Sequence, residues 1–174
     1  MHQHSIKRIK EVSMAKKKPS FRAALEEMSY PVKYKKFSKL FKNVKKSDRR
    51  FFIKLLKVYC AEIQNKELVH YASYSELNLN QRGVIILLDD RLILAHGKVK
   101  TKLVHFNRIK YSRIAAIDFN RQDKNNKDEQ YGALFLKVKR KNLALKNYTI
   151  RSLKREDLPE IVEFIKMKTS SHKL

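Results

Sequence analysis

A segment rich in lysine and arginine is the strongest chemical signal in the chain. Between Pro31 and Lys57 the sequence has eleven basic residues and a single acidic one, Asp48. A solvated helix usually relieves such repulsion with acidic residues four positions away, and that interleaving is nearly absent here. A cationic surface of this density can neutralise the phosphates of nucleic acid or meet the headgroups of an anionic membrane. The segment therefore predicts contact with a polyanion.

The candidate contact residues fall into a main group in this segment and a secondary group further along the chain. The predicted polyanion-binding residues are Lys35, Lys36, Lys39, Lys42, Lys45, Lys46, Arg49 and Arg50, with Lys98, Lys100 and Lys102 as the secondary group. Another basic cluster, Lys137, Lys139, Arg140 and Lys141, surrounds a later strand end. No base-reading residue can be identified, so binding should be weakly selective for sequence and should fall steeply with salt.

Three kinds of partner fit this charge pattern. Nucleic acid is the leading interpretation because the charge is spread over the chain: residues 1–80 carry 19 basic and 7 acidic side chains, and residues 81–174 carry 22 and 10. An acidic or nucleic-acid-handling protein is one alternative, which predicts an apolar patch or an unpaired edge strand. An anionic membrane is the other, and it requires Phe51 and Phe52 to be exposed. A rigid nucleic-acid-binding face requires them to be buried.

Residues that commonly carry catalysis form no recognisable motif. Cys60 lies on an apolar helical stripe, and the three glycines are too far apart for a phosphate-binding loop. His70, His96 and His105 fall on neighbouring predicted strands, but they lack an acidic or thiolate companion at fixed spacing. We therefore expect a non-enzymatic binding protein without a metal, a cofactor or a small-molecule substrate.

Composition limits the class of protein further. A chain of 174 residues with a formal net charge of +24 has room for one domain and an extension. Because 43% of its residues are apolar, it can build a core, and disorder throughout is not expected. It has a single cysteine, no apolar run of membrane-spanning length and no secretory signal, which favours a cytoplasmic protein.

The residues before Lys66 follow a helical repeat. A short helix is predicted after Ser20, which would be its N-cap, and a third helix is predicted from Ser47 and Asp48 to about Gln64. Most amphipathic stripes face a core, so we expect these helices to dock on the remainder of the chain. The apolar stripes of the second and third helices are Tyr34, Phe37, Phe41 and Val44, and Phe51, Phe52, Leu55, Leu56, Tyr59 and Ile63.

Beyond Lys66, short apolar runs separated by turn residues predict strands. A final helix is predicted from about Arg155 to Lys168, with Pro159 in its first turn. Strands followed by one helix indicate an α+β fold in which the helix covers an open end of a curved antiparallel sheet. The seven predicted strands are Leu68–Leu77, Gly83–Leu88, Leu92–His96, Leu103–Phe106, Arg113–Phe119, Ala133–Val138 and Leu145–Ile150.

Three segments carry a family resemblance: GVIILLDDRLILAHG (83–97), KYSRIAAIDF (110–119) and IRSLKREDLPEIVEFI (150–165). They resemble the bacterial pleckstrin-homology-like (PH-like) domains of the YokE type, in which a GVLxLTxxRLIF hairpin precedes IPYxKISSVE and a terminal helix. The resemblance covers about Glu67–Met167, and the sequence departs from it at Asp89–Asp90 and in the longer loop Arg121–Gln130. It implies a seven-stranded, strongly bent sheet capped by a C-terminal helix, which serves as a binding platform for lipids, peptides or proteins.

The predicted organisation has four parts. Residues 1–20 would be a disordered or frayed basic N-terminus, and residues 21–65 a basic helical extension. Residues 66–169 would form the PH-like domain, followed by a tail of residues 170–174. The extension lies outside the resemblance, so its role has to be inferred from its charge and from how it docks on the remainder of the chain.

Overall fold

The computed structural model describes residues 17–98, 100–101, 103–121 and 130–172. The first sixteen residues of the predicted N-terminal tail, and Lys102, lie outside this range. The helices are α1 (Phe21–Glu27), α2 (Tyr34–Lys39), α3 (Lys46–Lys54) and α4 (Leu158–His172), with 3₁₀ turns at Leu40–Asn43 and Tyr111–Arg113 and a π turn at Leu55–Tyr59. The strands are β1 (Val32–Lys33), β2 (Leu68–Val69), β3 (Tyr71–Leu77), β4 (Gln81–Leu87), β5 (Arg91–Gly97), β6 (Val104–Lys110), β7 (Ile114–Asn120), β8 (Tyr131–Lys139) and β9 (Leu145–Lys154).

Seven of these strands form one curled antiparallel sheet in the order β6-β5-β4-β3-β9-β8-β7. Two meanders meet where β3 pairs with β9, through Glu76 opposite Arg151 and Leu77 opposite Ile150. Strands β6 and β7 are the ends of the sheet, which therefore forms a half-barrel. Helix α4 covers its inner face with the predicted apolar residues, among them Leu158, which is fully buried. The predicted α+β, PH-like fold is confirmed.

Strands β4 and β5 are buried on both faces. Val84 and Ile86 belong to a core shared with the N-terminal helices, whereas Ile85 and Leu87 face the core beneath α4. Successive side chains of a strand point to opposite faces, so a strand covered on both sides needs apolar residues at every position. This explains why the sequence here has a continuous apolar run instead of an alternating pattern.

The N-terminal helices dock on the outer face of the sheet. Phe37 and Phe52 are 0% and 3% exposed, and Phe52 stacks on Phe21 with 3.7 Å between the ring centroids. The Tyr30 hydroxyl donates a hydrogen bond of 3.1 Å to the Ala72 carbonyl of β3. The aromatic stripes of the extension are therefore core, and its lysines lie on the opposite side.

The third predicted helix differs from the structure at both ends. It begins at Lys46, and the Asp48 carboxylate accepts a hydrogen bond of 2.9 Å from the Phe21 amide of α1. The prediction that it continues to about Gln64 is wrong, because the helix changes to a π turn at Leu55–Tyr59. Cys60 caps the π turn and is completely buried, in agreement with its place on the apolar stripe.

Several further boundaries differ from the predictions: β4 begins at Gln81, β6 extends to Lys110, and β9 extends to Lys154. The predicted strand Leu68–Leu77 is interrupted at His70, because Val69 pairs with Val32 while the His70 amide donates to the Leu87 carbonyl. The last helix begins at Leu158 and extends to His172, later at both ends than predicted. These shifts leave the strand order unchanged.

Arg91 holds the end of the extension against the first hairpin. Its guanidinium donates to Glu67 at 2.8 Å and to Asp90 at 2.7 Å, and it lies 3.6 Å from Glu62. The Arg91 side chain is 11% exposed and that of Glu67 25%, whereas Asp90 is 65% exposed, so the bond to Glu67 is better shielded from solvent than the bond to Asp90. The two glutamates precede the sheet in sequence, so the cluster joins the extension to the β4–β5 hairpin.

We expect Glu67→Gln to weaken the dependence of stability on acid pH. The hydrogen bond from Arg91 lowers the pKa of the Glu67 carboxyl. Its contribution to stability is therefore complete above the unfolded-state pKa, about 4.3, and is lost as the pH falls through the lower folded-state pKa. Urea unfolding of both proteins from neutral pH downward should show a steeper loss in the wild type below that unfolded-state pKa. Parallel pH profiles would contradict this role for Glu67.

Candidate polyanion-binding surface

Residues from both predicted basic groups meet in a groove between α3 and the β5–β6 loop. We call this groove, of about 350 Å³, the junction groove; Arg50 and Lys54 of α3 face Lys100 across it. Arg50, Lys54 and Lys100 are all exposed. The residues that line it are Ser47, Arg50, Phe51, Lys54, Leu55, Lys100, Thr101 and Val104. No acidic side chain of the described residues lines it, so its cations add to one another.

A second groove lies within the helical extension. This helical groove, of about 540 Å³, has the predicted residues Lys35, Lys39 and Lys42 on its rim, together with Lys57. Its floor is apolar and includes Cys60, whose thiol pKa is raised to about 12 by burial and, secondarily, by the negative charge of Glu62. The thiol therefore stays protonated, and the groove presents lysines above an uncharged floor.

A third groove, of about 690 Å³, lies between the free side of β6 and the β8–β9 turn; we call it the edge groove. Its floor includes Ile109, Val138 and Tyr148, and the Tyr148 hydroxyl donates to Asn107 Oδ1 at 3.3 Å. The basic residues that line it are Arg108, Lys110, Arg113, Lys139, Arg140 and Lys141.

Only one wall of the edge groove is apparent from basic runs in the sequence. The basic residues at the end of β8 were predicted, but Arg108, Lys110 and Arg113 were not, because they are not part of a dense basic run. The two-residue spacing of Arg108 and Lys110 in a strand would have placed them on one face. Their proximity to β8 follows from the strand order, which local spacing does not reveal.

The other predicted residues are spread around these grooves. Lys36, Lys45 and Lys46 are exposed, whereas Arg49 and Lys98 are half-buried, and none of the five lines one of the three grooves. The one acidic residue of the basic segment, Asp48, caps α1 through its bond to the Phe21 amide. The exposed lysines of the extension thus project from a backbone whose other side is fixed in the core.

Two of the three histidines considered as possible metal ligands hydrogen-bond to side chains from different parts of the sheet and its turns. His70 hydrogen-bonds to Asp89, while His96 Nε2 lies 2.8 Å from the Ser75 hydroxyl. Burial, with a smaller contribution from nearby His105, lowers the pKa of His96 to about 3, so it is neutral at physiological pH. Within the described ranges, no group of three or more His, Cys, Asp or Glu side chains is placed to hold a metal.

Two exposed leucines mark one end of the sheet. Leu79, in the β3–β4 turn, is 82% exposed, and Leu103, in the β5–β6 loop, is 61% exposed. Register places Arg82 beside Gly97 and Gly97 beside Val104, so the turn and the loop adjoin. No helix among the described residues combines the length and apolar character needed to span a bilayer.

Comparisons with known proteins agree with this geometry. A family model described as "Bacterial PH domain" matches residues 63–167. The SPbeta prophage-derived uncharacterized protein YokE of Bacillus subtilis (strain 168) is 24% identical over 150 residues, covering 82% of this chain and 91% of YokE. The hSac2 domain of the human phosphoinositide phosphatase Sac2 has a TM-score of 0.50 and 14% identity, covering 74% of this chain and 86% of that chain.

The family match bears on the kind of protein this is. It spans more than half of the chain and includes all seven strands of the half-barrel together with most of α4. PH domains are generally non-catalytic modules that commonly bind lipids, proteins or phosphoinositides. The resemblance carried by residues 83–97, 110–119 and 150–165 is confirmed, and the chain belongs to the bacterial PH domain family.

Proposed function

We propose that this protein binds nucleic acid through a basic surface that joins the helical extension to the PH domain. The observation that carries the proposal is the junction groove, in which Arg50 and Lys54 of the extension share one opening with Lys100 of the domain. None of these three residues forms an ion pair with an acidic side chain in the described part of the chain. Their charges are therefore available to phosphates.

Burial of the apolar stripe supports this interpretation. Phe52 and Leu55 are 3% and 1% exposed, whereas Phe51 is half-buried and lines the junction groove. Helix α3 is therefore held against the sheet through Phe52 and Leu55, and its basic residues have a fixed base. A preorganised cationic surface loses less conformational entropy on binding than a mobile tail does. The burial of Phe52 argues against insertion of this stripe into a membrane, which requires both Phe51 and Phe52 to be exposed.

Strand β6 connects the junction groove to the edge groove and so sets the length of the proposed surface. Val104, at its start, lines the junction groove, and Lys110, at its end, lines the edge groove. At about 3.3 Å per residue the strand extends about 20 Å, along which one strand of B-form DNA places about six phosphates. Basic residues at both ends of β6 can therefore contact one backbone.

We expect Arg50→Glu/Lys100→Glu to reduce nucleic-acid affinity by at least about tenfold. Each lost phosphate contact should also flatten the slope of log affinity against log salt by about 0.9 for a duplex. The measurement is fluorescence anisotropy with duplex DNA and with single-stranded RNA, titrated over salt. The matched control is Arg155→Glu/Lys166→Glu, which makes the same change in net charge around α4. Equal losses in the two variants would show that only total charge matters and would overturn the assignment.

An anionic membrane is a second candidate, and the exposed leucines favour it. Leu79 and Leu103 could enter the headgroup region while Lys98 and Lys100 meet its charge. Anionic liposomes in the same titration separate the candidates. Liposome-selective binding that is lost in Leu79→Ser/Leu103→Ser would favour the membrane and contradict the nucleic-acid proposal. A nucleic-acid or inner-leaflet partner would in either case imply a cytoplasmic location.

A further inference from the structure

The outer side of β6 has no strand partner in the described sheet. Its pairing with β5 is regular from Lys110 opposite Arg91 to Val104 opposite Gly97, and no bulge interrupts it. A regular edge of seven residues presents unpaired backbone donors and acceptors that another extended segment can use. The edge groove runs beside Phe106–Lys110, so this part of the edge has an open space next to it.

The opposite end of the sheet is less suitable for an added strand. Strand β7 pairs with β8 through an irregular register between Ile114 and Ala116. Lys166 and Thr169 of α4 also lie beside the first half of β7, where they line a shared groove. Irregular pairing and a covering helix both protect an edge from further pairing, so β6 is the more accessible one.

Charge determines which strand could join β6. Arg108 is already paired with Glu62 at 2.7 Å. The other basic residues of the edge groove form no ion pair with an acidic side chain among the described residues; they are Lys110, Arg113, Lys139, Arg140 and Lys141. Such charges oppose pairing with a second copy of this chain, whose net charge is +24. They complement a segment that carries acidic residues.

We propose that β6 accepts an additional strand from an acidic, extended peptide of a partner protein, seated in the edge groove. The peptide main chain would hydrogen-bond to the free edge of β6 and give affinity. Every second side chain would be an acid directed at Lys139, Lys141 and their neighbours, and the intervening apolar ones would cover Ile109 and Val138. The nucleic-acid proposal rests mainly on the junction groove, but it also uses Lys110 of the edge groove, so the test has to distinguish the two ligands.

A pair of synthetic peptides tests the main-chain part of this proposal. The probe is a ten-residue peptide in which Glu alternates with Val and Thr, and its control is N-methylated on alternate residues. The control keeps every charge and side chain but cannot complete the strand ladder. We expect the probe to bind the full chain at least about tenfold more tightly, and to slow amide exchange at Val104–Lys110. Equal affinities, or unchanged exchange in β6, would overturn the proposal.

Variants on the opposite wall test the charge part. Lys139→Glu/Lys141→Glu should weaken probe binding by at least about tenfold, while Arg155→Glu/Lys166→Glu should change it by less than about threefold. The altered side chains of Lys139 and Lys141 are exposed, so folding should be retained and can be verified by thermal unfolding. If a single-stranded oligonucleotide protects β6 from exchange and the peptide does not, the edge groove is a nucleic-acid site and the peptide proposal is wrong.

Discussion

Gly83→Ala is expected to lower the free energy of unfolding by about 3 kcal/mol or more. A Cβ atom at this position would lie 1.8 Å from the Ala95 carbonyl oxygen and 2.7 Å from the His96 Cα, both in the β5 backbone. The conflict cannot be relieved by a change of rotamer, because backbone atoms of the paired strand would have to move. Gly83 also pairs with Ser75 of β3, so a displacement of β4 would disturb the ladders on both sides.

The Ser75–His96 hydrogen bond adds a second cost at the same position. It spans 2.8 Å between the strands on either side of Gly83, and both side chains are fully buried. A methyl group between them would separate the pair and leave buried polar atoms without partners. Urea denaturation followed by circular dichroism measures the loss.

Gly97→Ala is the matched control in the neighbouring strand. Its Cβ would lie 3.1 Å from the Leu103 carbonyl oxygen and 3.3 Å from Val104 Cγ2, distances that a small adjustment can accommodate. We expect a loss of no more than about 1 kcal/mol, within the usual range for single substitutions. Similar losses at the two glycines would show that the close approach of β4 to β5 does not explain why position 83 requires glycine.

The sequence predicts the strands and helices well where an element is buried either on both faces or on one face along its whole length. Strands β4 and β5 are covered on both faces, which leaves an apolar residue at almost every position, and α4 is covered on one face, which leaves Leu158 and Ile165 at helical spacing. Ser20 was predicted as an N-cap, and its hydroxyl accepts a hydrogen bond of 3.2 Å from the Ala23 amide. In these cases the residue type follows from the burial or hydrogen bonding of that position, so the local sequence is enough to predict the element.

Features that depend on distant parts of the chain could not be predicted in this way. The π turn packs against β5, whereas the apolar stripe alone predicts an ordinary helical phase. The edge groove unites Arg108 with Lys139 because the sheet curls, and the junction groove unites Arg50 with Lys100 because α3 docks beside a loop. The division of the chain between residues 65 and 66 stays a prediction.

Phe52→Ala is the second substitution from which we expect a large effect, a loss of about 3–5 kcal/mol. The Phe52 ring stacks on Phe21 of α1 with 8° between the planes, and its centroid lies 6.3 Å from that of Tyr74 in β3. The ring therefore joins two helices of the extension to the sheet, and its removal leaves a cavity among all three. Val58→Ala, in the adjacent π turn, is the control, because Val58 is 61% exposed and should cost less than about 0.5 kcal/mol.

The region that unfolds first in Phe52→Ala distinguishes a role of Phe52 in docking the extension from a role in general packing. The basic segment between residues 31 and 57 is full of trypsin sites, which are protected only while the extension remains folded against β3 and β5. In Phe52→Ala, cleavage should begin in this segment while the PH domain stays intact, and nucleic-acid affinity should fall although no cation has been removed. Cleavage that spreads evenly along the chain would mean that the extension and the sheet unfold as one unit. Unchanged affinity would show that the basic residues act without the fixed base we assign to them.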